Sequence, residues 1–245
     1  MKKKDVLVLI PFVVLIVLAL LPGNIEAFKN WTQRWPYLSS FLKFSVLATF
    51  GESLALRLKT GAYTRPGFGL ACRALAWGLL GMFIFVSFAI FSNGAPSVLR
   101  TLGMAQVPDL AGPFSLSLVP VAFIISLTMN LIQAPVLMVL HKISDNHIAH
   151  TGGSLRRYLS TRLDMAASFR EIDWNVMWGF VFKKTIPLFW IPAHTITFLL
   201  PPYLRVLFAA ALGTVLGVFL SLAAQSAHQG QGGAKAARAE SAAGV

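Results

Sequence analysis

Residues 116–140 read LSLVPVAFIISLTMNLIQAPVLMVL, twenty-five positions without an Asp, Glu, Lys or Arg. A helix crosses about 30 Å of hydrocarbon in roughly 20 predominantly apolar residues, so this stretch is long enough to span a bilayer. Other apolar runs flank it, at 6–21, 38–58, 70–91, 186–200 and 206–224. Of the 245 residues, 56% are hydrophobic and only 12% charged, about half the charged fraction of an ordinary soluble domain. The pattern predicts an all-α fold, a multi-pass transmembrane helical bundle of about six membrane segments. It forms one domain over 1–224, followed by a disordered Gly/Ala/Gln-rich tail over 225–245.

The first run follows Lys2, Lys3 and Lys4, a start shared by signal peptides and uncleaved anchors. The apolar stretch is long for a signal peptide and Ile25-Glu26-Ala27 is a poor cleavage site, so 6–21 is read as an anchor helix. The fifth segment is irregular. Trp174 to Phe182 is apolar and aromatic, Lys183 and Lys184 interrupt, and 186–200 is apolar again with Pro187 and Pro192 inside it. The reading is an interfacial helix over 173–184 and then a short, Pro-bent crossing.

The formal net charge of +12 invites a nucleic-acid partner, but the cations lie in short loops between apolar runs and not on one face. With the N-terminus inside, sixteen Lys and Arg fall on inside segments, and four (Lys29, Arg34, Arg100 and Arg205) fall outside. This asymmetry predicts a cytoplasmic location for both termini, most simply in a bacterial inner membrane. Arg156, Arg157, Arg162 and Arg170 then face anionic lipid headgroups. Cys72 is the only cysteine, which excludes an internal disulfide and a thiolate metal site. No metalloprotease His-Glu-x-x-His, nucleophile Gly-x-Ser-x-Gly or phosphate-binding Gly-rich loop with Lys is present. Neither an enzyme activity nor a cofactor is expected. His141, Asp145, His147 and His150 carry metal-ligand chemistry, but on a helix the two pairs point differently, and they read as a solvated helix end.

Polar groups inside apolar runs are the candidate site. Glu52 lies well inside the second run, where an ionisable side chain is costly unless paired or hydrated. Lys43 is nine residues away, and Arg73, at the start of the third run, is the more plausible partner. Asn130 and Gln133 share one turn of the fourth run beside Pro135. They either line a polar passage or make interhelical hydrogen bonds. His194 and Thr197 lie in the short fifth crossing, and broken helix at membrane depth persists only in a protein interior or along a watery cavity. Glu52, Asn130, Gln133, His194 and Thr197 are therefore the candidate pore or polar network.

The stretch WIPAHTITFLLPPYLR, residues 190–205, resembles the signature of the Mpv-type mitochondrial and peroxisomal membrane protein family, in which Trp-Pro is followed by Gln, Asn-Phe, Val-Pro and Arg. Aligned on Trp190, Phe198 and Pro202 match, His194 replaces the Gln and Thr197 the Asn, and Pro192 and Arg205 are each displaced by one residue. Gly51-Glu52 resembles the family's Gly-Asp, with Leu56 at a Gln position. Gly78-Leu79-Leu80-Gly81 resembles its Gly-x-x-Gly-Pro, with Met82 for Pro and Phe88 for Tyr, and Asn130 with Ala134-Pro135 resembles Gln-x-x-x-Ala-Pro. The resemblance runs over 38–224, with the first helix as an addition. It implies a small helical membrane protein with a channel-like role in solute balance. The partners expected are membrane lipids, small solutes or ions, and a second copy of the chain. The competing expectation is a non-transporting scaffold that binds proteins or anionic lipids at its basic face.

Overall fold

The computed structural model describes residues 5, 10, 21, 23–104, 107–110, 112 and 114–219. The anchor run 6–21, apart from residues 10 and 21, and the tail 225–245 lie outside them. Every regular element among the described residues is helical. In chain order these are α1 (Asn24–Arg34), α2 (Pro36–Thr60), α3 (Leu70–Thr101), α4 (Leu118–His150), α5 (Leu155–Ser160), α6 (Met165–Arg170) and α7 (Trp174–Val176). A π-helical segment (Met177–Trp190), α8 (Ile191–Leu199) and α9 (Pro202–Phe219) complete the order.

Among the described residues three helices, α3, α4 and α9, are long and apolar enough to cross a membrane. Of the six expected crossings the first lies largely outside the described residues, and the second and fifth do not meet this standard. The second run forms a helix of 25 residues, about 37 Å long. Lys43, Glu52, Arg57 and Lys59 keep it too polar to meet the same standard. The fifth segment also differs from expectation. Instead of an interfacial helix ending at Lys184 and a separate crossing, α7, the π-helical segment and α8 follow one another without a break. Pro187 lies within the wide turns and Pro192 within the first turn of α8, where a missing N–H is tolerated. Residues 24–34, which carry Lys29 and Arg34, are expected outside the membrane. They form α1, whose Phe28 and Trp31 rings stand 4.8 and 5.8 Å from the Lys43 ammonium. That cation–π contact, with a hydrogen bond from Lys43 Nζ to Thr32 Oγ1 at 3.1 Å, explains how a lysine is buried in α2.

Apolar surface gives helices little reason to associate in lipid, so close approach and interhelical hydrogen bonds matter more. Both occur at named positions. A β-carbon on Gly78 would collide with Phe41 and Ser45, and one on Gly81 would stand 2.6 Å from the Phe44 Cβ. Ser45 Oγ donates to the Ala74 carbonyl at 2.6 Å along the same α2–α3 seam. A β-carbon on Gly51 would stand 2.8 Å from the Thr214 Cα of α9, and Thr214 Oγ1 donates to the Leu47 carbonyl at 2.8 Å. Ser126 Oγ of α4 donates to the Ile191 carbonyl of α8 at 2.7 Å. Between these seams lies the apolar core of Phe44, Leu80, Ile84, Phe88, Ile125, Met129 and Phe198. At the end of α2, Asp5 accepts from Arg57 Nε at 2.8 Å and from the Tyr63 hydroxyl at 3.2 Å. Partial burial and that carboxylate push the Tyr63 phenol above its ordinary value.

The α2–α3 seam makes a direct prediction. Gly78→Val forces the helices apart and costs about 2 kcal/mol or more, read as a lower melting temperature in detergent. Gly94→Ala lies on the same helix, where a β-carbon meets open space. It leaves the melting temperature unchanged or slightly raised, because alanine is the better helix former.

Candidate functional site

Three helices bring charge to one level. Glu52 comes from α2, Arg73 and Trp77 are one turn apart on α3, and His141 and Asp145 are one turn apart on α4. Arg73 Nη1 donates both to Glu52 Oε2 and, at 2.8 Å, to Asp145 Oδ1. Trp77 Nε1 donates to Glu52 Oε1 at 2.9 Å, and His141 Nε2 lies 3.0 Å from the same oxygen. Arg73 is fixed in turn by Nε donating to the Phe68 carbonyl at 2.8 Å and by the Phe68 ring beneath its guanidinium at 4.7 Å. The Arg73, Glu52 and Asp145 side chains are 18, 20 and 25% exposed, so the network is largely withdrawn from solvent.

Glu52, His141 and Asp145 offer ligand atoms within 4.8 Å of one another, a spacing that suits a metal ion. Arg73 already supplies positive charge to both carboxylates, so the cluster reads as a closed ion-pair network. The four-residue group considered from sequence is thus divided. His147 contacts the Tyr158 carbonyl at 3.0 Å, and His150 contacts Glu171 at 2.8 Å. α4 itself runs on to His150, well past the apolar run that ends at residue 140.

Behind this network is an interior cavity of about 270 Å³. Its wall brings together Glu52 and His141 at the charged level with Asn130, Gln133 and His194 deeper in the bundle. Most of the remaining wall is apolar, including Phe44, Ile84, Phe88, Leu137 and Trp190. Asn130 is fully packed. Its Nδ2 donates to the Ser126 carbonyl at 2.8 Å, and Ser126 makes the bond to α8. His194 is held in an aromatic frame, stacked on Trp190 at 5.3 Å and edge-on to Phe88 at 5.5 Å. Its hydrogen-bond partner is on its own helix, Thr197 Oγ1 at 3.3 Å, and not on a neighbouring one. Thr197 donates to the Ala193 carbonyl at 3.0 Å, is fully buried, and does not line the cavity. Two buried donors on the wall, Gln133 Nε2 and Trp190 Nε1, have no hydrogen-bond partner. Each leaves about 1–3 kcal/mol of desolvation unrecovered.

A second, more open cavity of about 410 Å³ lies toward the other end of α3, lined by Asn93, Arg100, Asp109 and Arg205 among others. Arg205 is buried there, donating from Nε to the Leu200 carbonyl at 3.0 Å and from Nη2 to the Leu110 carbonyl at 3.1 Å. Phe88 is the one residue on the walls of both cavities. Along α3, Arg73 and Arg100 are separated by about 40 Å of helix, close to the thickness of a bilayer with its headgroups.

Sequence reasoning missed Trp77, the joining of Asp145 to Glu52 and Arg73, and the Phe88 position between cavities. The four-residue spacings Arg73–Trp77 and His141–Asp145 were the available signal for the first two. Arg156, Arg157, Arg162 and Arg170 are all exposed, on or beside α5 and α6, among exposed Leu155, Leu159, Leu163 and Phe169.

The network predicts non-additive energetics. Arg73→Met leaves two carboxylates without their partner and destabilises the protein by about 3 kcal/mol. Adding Glu52→Gln and Asp145→Asn in the same chain recovers at least half of that loss. Melting of the four combinations in one detergent measures it, and strictly additive changes contradict the network.

No family model, curated protein or solved structure matches this chain, so its function is argued from the chemistry of these two cavities.

Proposed function

We propose that this chain is an integral membrane protein that lets small solutes pass along a route between its helices. The route runs from the charged network at Glu52, through the interior cavity, past Phe88, and into the wider cavity at Arg100 and Arg205. The observation that carries this reading is that the two cavities share Phe88 and no other lining residue. A single buried aromatic between two spaces makes a constriction, and apolar constrictions close pores by excluding water. The irregular helix from Met177 to Leu199 supports the same reading, since broken or widened helix at membrane depth is tolerated along a cavity. So does the likeness of residues 190–205 to Mpv-type proteins, because Trp190 and His194 of that stretch line the interior cavity. In this reading the Glu52 end and both termini face the cytoplasm of a bacterial inner membrane, an orientation that the charge asymmetry of the loops supports.

Reconstitution in liposomes tests the route. Wild-type protein accelerates the equilibration of small neutral solutes such as urea and glycerol over protein-free vesicles. Phe88→Ala raises the protein-dependent rate severalfold. Gly213 lines the interior cavity and has open space where a β-carbon would stand, so Gly213→Leu narrows the passage and lowers the rate. Absence of flux or conductance at every voltage and pH tried would sink the proposal.

The second reading, a scaffold for anionic lipids or proteins, is favoured by the exposed arginines of α5 and α6 standing among exposed Leu159, Leu163 and Phe169. Apolar side chains reaching the acyl boundary beside cations at headgroup level suit an anionic membrane surface. Replacing Arg156, Arg157, Arg162 and Arg170 with Gln at least halves the phosphatidylglycerol that copurifies, measured by lipid mass spectrometry, and leaves solute flux unchanged. Unaltered lipid retention speaks against this surface.

A further inference from the structure

The more open cavity, of about 410 Å³, is bordered by a buried cation that touches no carboxylate. Arg205 is only 7% exposed and lies on that wall. Its Nε and Nη2 donate to the Leu200 and Leu110 carbonyls, and its guanidinium stands 5.8 Å from the Phe198 ring. All three contacts are with formally neutral groups. Arg205 forms no ion pair among the described residues, whereas Arg73, at the Glu52 level, reaches two carboxylates. The remaining terminal nitrogen, Arg205 Nη1, has no hydrogen-bond partner among the described residues and is not sealed off as Gln133 Nε2 and Trp190 Nε1 are. The open space beside Arg205 is this cavity, so a partner arriving there can reach it. A buried charge is costly until it is paired.

Hydrogen-bond counting alone does not choose an occupant, because the wall offers acceptors as well. Asn93 donates from Nδ2 to the Ala89 carbonyl, which leaves its amide oxygen as an acceptor, and Asp109 is exposed on the same wall. Charge does choose. Arg100, exposed and without an ion pair among the described residues, is the second guanidinium on the wall, so two cations stand against the one carboxylate of Asp109. Much of the rest is apolar, including Phe85, Phe88 and Val206, and the volume suits a small-molecule site. We propose that this cavity is a binding site for the anionic oxygens, carboxylate or phosphate, of a molecule with an apolar portion, received by Arg205 and Arg100. Guanidinium groups match both kinds of oxygen, and hydrogen bonds between charged partners are the strong ones. The apolar portion rests against Phe85 and Phe88. This site goes beyond the solute route and holds whether or not solute passes Phe88.

Benzoate, benzamide and benzamidine test it, one shape in anionic, neutral and cationic form. Each is titrated by calorimetry into protein purified in an uncharged detergent, in buffer free of carboxylate and phosphate, with detergent-only controls. Benzoate binds about tenfold more tightly than benzamide, the gain of one charge-assisted hydrogen bond, and benzamidine binds most weakly. Arg100→Gln lowers benzoate affinity roughly threefold and leaves benzamide unchanged, and Asp109→Asn raises benzoate affinity by a similar factor. Arg205→Gln brings benzoate within about twofold of benzamide, and retained benzamide binding reports that the cavity is still folded. Should Arg205→Gln fail to purify, the other two variants and the wild-type ranking still decide the matter. Equal affinity for benzoate and benzamide in wild type, a preference that survives both arginine substitutions, or weaker benzoate binding in Asp109→Asn overturns the assignment. Lipid nanodiscs separate two sources of the anion. Benzoate binding that persists there upholds the site for a soluble organic acid. Binding lost there, with dihexanoyl phosphatidylglycerol displacing benzoate in detergent, upholds it for the phosphate of a lipid headgroup; loss without that displacement overturns it.

Discussion

Arg73 joins carboxylates carried by two other helices, and that bridge fixes the level at which α2, α3 and α4 meet. In a bilayer the alternatives to such pairing are poor. A lone Glu52 or Asp145, only 20 and 25% exposed, is poorly solvated, so separating the helices leaves charge unpaired. Trp77 and His141 complete the arrangement with their ring nitrogens on one Glu52 oxygen, the two rings 4.3 Å apart. The cavity begins where this polar layer ends. Its mouth therefore has fixed electrostatics, whereas its interior is shaped by aromatic side chains that rest on one another.

Glycine distributes the packing in a complementary way. Gly51, Gly78 and Gly81 let α2 lie close against α9 on one side and α3 on the other. Because α2 is drawn toward both neighbours, Phe44 and Glu52 reach the interior from a helix that is itself too polar to be solvated by lipid alone. Near the end of α4 a different glycine role appears. Gly153 has a φ of +71°, and its position beside Gly69 leaves no room for a β-carbon on either residue. This contact locks the loop before α3 to the loop after α4 and keeps Arg73 and Asp145 in register.

The helical class, the long apolar helices α3 and α4, and the small-residue pair at 78 and 81 were legible in the sequence. Length, apolarity and residue size depend on local information. Glu52 with Arg73 was legible for the same reason, since an acid inside an apolar run requires a cation and only a few stand at its depth. Asp145 and Trp77 were less so, because their role depends on the rotation of α3 and α4 about their own axes, and nearly uniform hydrophobicity does not fix that rotation. The segment at 173–200 was read through its prolines and lysines as two pieces. Widened turns carry the helix through both signals, and no pattern in a single sequence distinguishes widened turns from a break. Phe88 looked like one aromatic among many in α3. Its place between two spaces depends on α4, α8 and α9, which are far away in the chain.

The π-helical winding between Met177 and Trp190 has a further consequence for how this protein tolerates change. Each widened turn holds more residues than an α turn, so the segment stores surplus chain without losing its helical path. Loss of one residue there is absorbed by tightening a single turn. The downstream stretch that carries Trp190 and His194 then keeps its rotation about the axis. A one-residue deletion in this segment would in this way leave both rings on the cavity wall, whereas the same loss within α3 or α4, which hold no surplus turn, turns every residue beyond it to a new face.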